Sequence, residues 1–391
     1  MKPTRGGFAF AALCSQMMVA LTVAMFVPRV AKAVDPDIPR VQAGAERGSV
    51  QHEIELGAAY LIGHGVPKDE KQAAYWYEKA ANSGDPGAQQ QIGYFYAAGI
   101  GVERSPERAT GWFERAVAGG SIGAKVNLGV AYVWGQGVRK DPQFGAQLFR
   151  EAAEKGSGIG ACYLGDSYHF GIGLPKDDAK AMHWFEVGAK RHDARAAYDV
   201  AFLILQQPNH QDSKKVIKYL RQSAAGGYVM AKHQLALELI RDRKNAPPAS
   251  SAEAFGLLEE TAADGFWKSS AILGVLYRDG QGTTKDNDAA YYHFRIAALQ
   301  GGESAASLVA ADVEALKESL AGSERVALDA KAVSWAKDHS SALEYVNAPQ
   351  GLEQTFPALA IEYPQGDRHA GKAVAVSGRE ALFSGEEPSL H

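Results

Sequence analysis

Three side chains that could act together chemically stand at helical spacing: Cys162, Asp166 and His169, at i, i+4 and i+7. On a helix they share one face. A thiol, a carboxylate and an imidazole so arranged could ligate a transition metal or hold an activated thiolate. The competing reading is a small buried cysteine beside two polar neighbours on a groove. That reading is the expected one, because no second ligand cluster or distant histidine partner stands at ligand spacing, and neither H-E-x-x-H nor C-x-x-C occurs. A second candidate is the run Gly119, Gly120, Ser121, Ile122, Gly123, which spells the G-x-S-x-G of a hydrolase nucleophile elbow. An elbow needs a strand before its serine. Here an apolar helical stretch precedes it, so Ser121 is expected to cap the following helix. The paired glycines Gly63/Gly65, Gly99/Gly101, Gly135/Gly137 and Gly171/Gly173 lack the Gly-Lys-Ser/Thr of a phosphate-binding loop and read as turns. No catalytic residue, metal or cofactor is expected.

The elements that position these residues follow from a repeat. LGAAYLIGHGVPKD starts at Leu56, IGYFYAAGIGVERS at Ile92, LGVAYVWGQGVRKD at Leu128 and LGDSYHFGIGLPKD at Leu164, a period of 36 residues. Self-similarity at this period marks stacked supersecondary units. Each unit holds two apolar helical stripes. The first, with Leu56 and Tyr60 beside Gly57, ends at the Gly-x-Gly; the second, with Ala73, Trp76, Tyr77, Ala80 and Ala81, starts after a capping Asp69 and ends at Gly84. Two weaker units keep Val200, Tyr219 and Gly227, then Leu235, Leu257, Ala262 and Gly265, without the Gly-x-Gly. A seventh recovers the pattern in LGVLYRDGQGTTKD from Leu273. The expected fold is all-α: an α/α solenoid, a right-handed superhelix of stacked antiparallel helix pairs.

The pattern resembles the Sel1-like repeat family, relatives of the tetratricopeptide repeats, and the resemblance covers about two thirds of the chain. Ser105 departs from the loop Asp, and Leu148 and His293 from the Trp. The resemblance implies a non-enzymatic adaptor of the bacterial exported type. The expected organisation is a signal peptide over 1–33, a linker over 34–48, seven repeats over 49–302, capping helices over 303–346 and a mostly disordered tail over 347–391.

The signal is read from Lys2 and Arg5 before the uncharged run Phe8–Val27, with Ala31-Lys32-Ala33 as a cleavage site. Its 20 residues could also remain as a membrane anchor. Either way the rest is exported, periplasmic or secreted, and touches a membrane only through that segment. Cleavage removes Lys2, Arg5, Arg29 and Lys32, leaving 37 basic against 45 acidic groups, or −8. That balance argues against a nucleic-acid partner.

By analogy with tetratricopeptide proteins, the first-helix face could line a concave groove. Gln90, Tyr94, Val130 and Val133 give it an apolar, aromatic stretch next to Cys162, Asp166 and His169. Tyr94 is the favoured contact, as an aromatic outside the core positions; Val126 and Val130 either line the groove or fill the interhelical seam. Trp76, Trp112 and Trp184 read as core. The function expected is a protein-protein interaction scaffold in the bacterial envelope with an unidentified envelope or secreted protein as partner. An envelope hydrolase acting on β-lactams or peptidoglycan, and a polysaccharide-associated scaffold, are the alternatives.

Overall fold

A computed structural model describes residues 37–207, 213–241 and 248–339. The expected signal peptide and the tail over 347–391 lie outside the described residues. Within them are 17 helices and no strand. The first body runs to Arg191 and the second starts at His192. Each is an α-solenoid in which successive helices pack on one another.

The first body contains α1 (Ile38–Glu46) and four helix pairs: α2 (Val50–Ile62) with α3 (Glu70–Asn82), α4 (Pro86–Ala98) with α5 (Pro106–Ala118), α6 (Ile122–Trp134) with α7 (Pro142–Glu154), and α8 (Gly158–Phe170) with α9 (Asp178–Lys190). The second holds three further pairs: α10 (Ala194–Leu205) with α11 (Ser213–Ala225), α12 (Val229–Arg241) with α13 (Pro248–Ala263), and α14 (Trp267–Asp279) with α15 (Asn287–Gln300). It ends in α16 (Gly302–Ser319) and α17 (Gly322–Asp338).

The repeated residues have separate mechanical tasks. A Cβ on Gly57 would stand 2.9 Å from the Tyr77 ring, and one on Gly93, Gly129 or Gly165 would meet Phe113, Phe149 or Phe185 at 2.8, 2.6 and 2.5 Å. The Leu-Gly glycine is therefore the slot into which the second helix inserts its aromatic ring. In the loop, Gly63 ends α2 in the left-handed conformation. The second loop glycine does more. Gly101 has φ +65, and a Cβ there would lie 1.9 Å from the carbonyl oxygen of Glu70 at the start of the preceding repeat's second helix. Gly137 and Gly173 meet Pro106 and Pro142 in the same way, at 2.1 and 2.0 Å. That glycine lets one repeat's loop lie on the backbone of the one before.

The cap expected at Asp69 forms, and a serine serves at the position where Asp is replaced. Asp69 accepts from the amides of Lys71 and Gln72 at 2.9 and 3.1 Å, and Ser105, despite replacing the loop Asp, accepts from Arg108 at 3.3 Å. Trp76 and Trp112 are buried, whereas Trp184 is only half-buried against the cluster that contains Phe149 and Leu164. In the second body Leu258, not Leu257, is the buried side chain of α13.

One expectation is corrected. The linker placed over 34–48 contains α1, whose Val41 and Ala45 pack with Leu56 and Trp76. Ala45 and Gly48 stand one period before Ala81 and Gly84, and Gly48 takes φ +84 as Gly84 takes φ +95. Helix α1 is the end of a second-type helix, and it covers the apolar face that the first repeat would otherwise expose. Lys79 donates to the Ala45 carbonyl at 2.9 Å and pairs at 3.0 Å with Glu53, which is 1% exposed. Two periods further on the same positions hold Lys125 and Glu151, 2.6 Å apart with the charges exchanged. The Lys125 hydrogen bond holds the Glu151 carboxyl below its usual range.

At the other end, α17 packs on α15. Asp329 of α17 receives Arg295 at 2.6 Å and the Tyr291 hydroxyl at 3.1 Å. Asp312 of α16 pairs with Arg278.

Candidate partner-binding face

The seven residues expected on a groove lie on α4, α6 and α8, the first helices of repeats 2 to 4. The structure divides them. Tyr94 is 2% exposed, Val130 7%, Val133 4% and Cys162 2%. Tyr94, Val130 and Val133 are corrected from groove to packing residues, and Cys162 takes the buried position of the expected reading rather than a place on the groove. Tyr94 joins the cluster of Ile92, Phe95 and Phe113, while Val130 and Val133 join that of Phe149 and Leu164. The cause is geometric. Each first helix is flanked by its own second helix and by that of the preceding repeat, so its outward stripe is narrower than a helical wheel of the isolated sequence implies. Val126, buried with Val130, settles that alternative in favour of the seam.

Gln90, Asp166 and His169 keep part of their surface. Gln90 accepts a 2.7 Å hydrogen bond from the Ser121 hydroxyl. A Cβ on Gly123 would meet the Gln90 amide at 2.6 Å, so this side chain lies across the start of α6. His169 Nδ1 lies 2.7 Å from Asp178 on α9, and its ring meets Phe170 edge-on. The cluster read from spacing is therefore split: Cys162 goes inward, while His169 turns to a carboxylate on the next helix.

Ser121 is the N-cap of α6, accepting from the Ala124 amide at 3.1 Å. Its G-x-S-x-G lettering belongs to a turn between two helices. No group of three or more His, Cys, Asp or Glu able to hold a metal is found among the described residues. None of their helices is long and apolar enough to cross a membrane.

Sequence reasoning missed a buried polar cluster in the second body. His233 lies 2.8 Å from the Ser269 hydroxyl, which receives the Thr261 hydroxyl at 2.7 Å. All three are at most 3% exposed and form an internal tie between α12, α13 and α14. Burial, with Lys268 adding repulsion, pushes His233 down to about 3. His293, in place of the repeat's Trp, stacks on Tyr277 and is pushed down to about 4, by burial first and Lys331 second. The signals in the sequence were His233 among the apolar residues of a divergent repeat and His293 in place of the Trp of the seventh.

Fold and surface together define a helical-repeat protein of the α/α solenoid class. The Sel1 repeat profile matches residues 53–85, 86–121, 123–157, 159–193 and 268–302. These are repeats 1 to 4 and 7, and the chain is a Sel1-repeat protein. Such proteins are in general protein-interaction scaffolds, typically non-catalytic.

A Sel1 repeat protein from Oxalobacter formigenes is 28% identical, covering 51% of this chain and 89% of its own, with a TM-score of 0.44. A protective antigen of uropathogenic Escherichia coli displaying an SLR fold is 21% identical over 85% of this chain and 91% of its own, at a TM-score of 0.29. An immunity protein from Pseudomonas aeruginosa is 19% identical over 53% and 83%, at 0.39. No curated protein matches the chain.

Proposed function

We propose that this chain is a non-enzymatic scaffold of the bacterial envelope that binds another exported protein through the solvent-facing remainder of the first-helix face. The contacts are Gln90, Asp166 and His169. The observation that carries the reading is how the conserved-looking positions within the repeat are used. Glycine slots, aromatic inserts and caps are consumed in stacking, which leaves surface side chains that differ from repeat to repeat as the means of recognition. The mature chain's charge of −8 favours a partner with a basic patch.

The test is proximity labelling in the envelope of a bacterial host, comparing the wild-type chain with Asp166→Ala/His169→Ala. The expected result is loss of the labelled partner from the double variant, with circular dichroism and melting unchanged. Identical labelling overturns the assignment of this face. Export is tested separately, by N-terminal sequencing of the mature protein, with a start at Val34 expected.

A further inference from the structure

The joint between repeats 2 and 3 differs in kind from those beside it. The middle residue of the Gly-x-Gly loop is Ile100 in repeat 2 and Ile172 in repeat 4, each packed on an apolar cluster. The corresponding second-helix residues one repeat earlier are Ala74 and Ala146, both buried. In repeat 3 the loop residue is Gln136, and its counterpart in repeat 2 is Thr110. The Thr110 hydroxyl lies 2.9 Å from the Pro106 carbonyl and 3.0 Å from that of Gln136, either of which can accept its proton. The Ala/Ile pair of the flanking joints is a Thr/Gln pair here.

Beside this pair is a cavity of about 30 Å³, whose lining includes Tyr94, Thr110, Asn127, Val130 and Gln136. Asn127 is 6% exposed. Neither its Nδ2 nor the buried Nε2 of Gln136 has an acceptor among the described residues. A buried N–H left without an acceptor costs about 1–3 kcal/mol, so two such groups on one small cavity call for an oxygen between them. The cavity has room for a water molecule, and although most of its lining is apolar it carries two amide donors without an acceptor, the polar partners an internal water needs.

We propose that this joint binds a single ordered water molecule. Its lone pairs accept from Asn127 Nδ2 and Gln136 Nε2, both on repeat 3. Its protons face repeat 2, where the lining presents the oxygens of Tyr94 and Thr110. The water is then a structural ligand that ties two repeats together at a place where their neighbours use apolar contact.

A high-resolution crystal structure of the full chain tests this. The expected density is one peak about 2.7–3.2 Å from both nitrogens, absent from a Thr110→Ala/Gln136→Ile variant that carries the pair used by the flanking joints. A wild-type cavity without that peak, or amides turned onto protein acceptors, overturns the proposal. Should the double variant fail to fold, the wild-type protein still decides by NMR. A cross-relaxation peak between the Asn127 side-chain amide and a long-lived water is expected, and its absence overturns the assignment.

Discussion

The two bodies solve the same stacking problem by different means. In the first, all four helix pairs keep the Gly-x-Gly, and each loop from repeat 2 onward lies on the backbone of the preceding repeat, as Gly101, Gly137 and Gly173 show. In the second, two of the three pairs have lost that loop. Even the recovered Gly282 is looser, since a Cβ there would stand 3.5 Å from the nearest atom, the Ser251 carbonyl oxygen. The interior polar groups differ as well: the first body seals Glu53 against Lys79, whereas the second seals the His233–Ser269–Thr261 chain and half-buries His293. The two histidines make the interior of the second body sensitive to protonation.

The largest expected effect separates the bodies by pH. His233 is neutral when folded, with its pKa pushed down to about 3, against the ordinary 6.5 once unfolded. The unfolded chain binds the extra proton, so this contribution is complete above pH 6.5 and is lost as pH falls from there toward 3. The loss for His233 reaches on the order of 5 kcal/mol at its upper bound, and His293 acts in the same direction. Hydrogen exchange at pH 7 and pH 4 should show protection lost first in α12 to α15. Protection lost first in α2 to α9 reverses the comparison.

Next is the buried pair of the first repeat. Lys79→Met leaves Glu53 buried without its cation, and an uncompensated charge of that kind costs about 3–5 kcal/mol. Urea unfolding should report it. Arg221→Ala in the second body breaks a pair whose side chains are 53% and 37% exposed, and is expected to cost under about 1 kcal/mol.

A third contrast compares the loop glycines. Gly101→Ala drives a Cβ into the Glu70 carbonyl as well as imposing a positive φ, and should cost about 3 kcal/mol. Gly282→Ala meets only the φ penalty, about 1 kcal/mol. Equal losses would show that close approach of the loop is not what holds successive repeats together. The smallest effect belongs to caps, which both bodies keep. Asp286 caps α15 by accepting from the Ala289 amide at 2.9 Å, and Ser121→Ala and Asp286→Ala should each lower stability by about 1 kcal/mol, visible as matched shifts in urea midpoint.

Much of this was legible in advance because the repeat displays its own mechanics. Asp69, Ser121 and Gly63 act through the backbone within a few residues, so their roles can be read from a short window. Helix α1 was also legible in principle, since Ala45 and Gly48 keep the register of Ala81 and Gly84, but its short stripe carries too few large apolar residues to be noticed alone. The burial of Cys162 was the expected reading, but Tyr94 was not legible as a buried residue. Whether a side chain beside the repeat's consensus faces solvent depends on how closely neighbouring helices approach, which a single helix's periodicity does not encode. His233 was hidden for the same reason, since its partners Ser269 and Thr261 lie on other helices.

The sequence by itself determined the period, the helix pairs, their caps and the glycines that permit tight stacking, because each follows from backbone conformation or local spacing. Only the tertiary structure decided which polar groups are sealed inside, that Glu53 meets Lys79, that Gln136 faces Thr110 across a joint, and that the first-helix face keeps Asp166 and His169 while losing Tyr94. Those outcomes depend on distances between helices. Burial and hydrogen bonding are set by what packs around a residue in space, and a one-dimensional pattern specifies that only where the neighbours repeat as faithfully as the chain does.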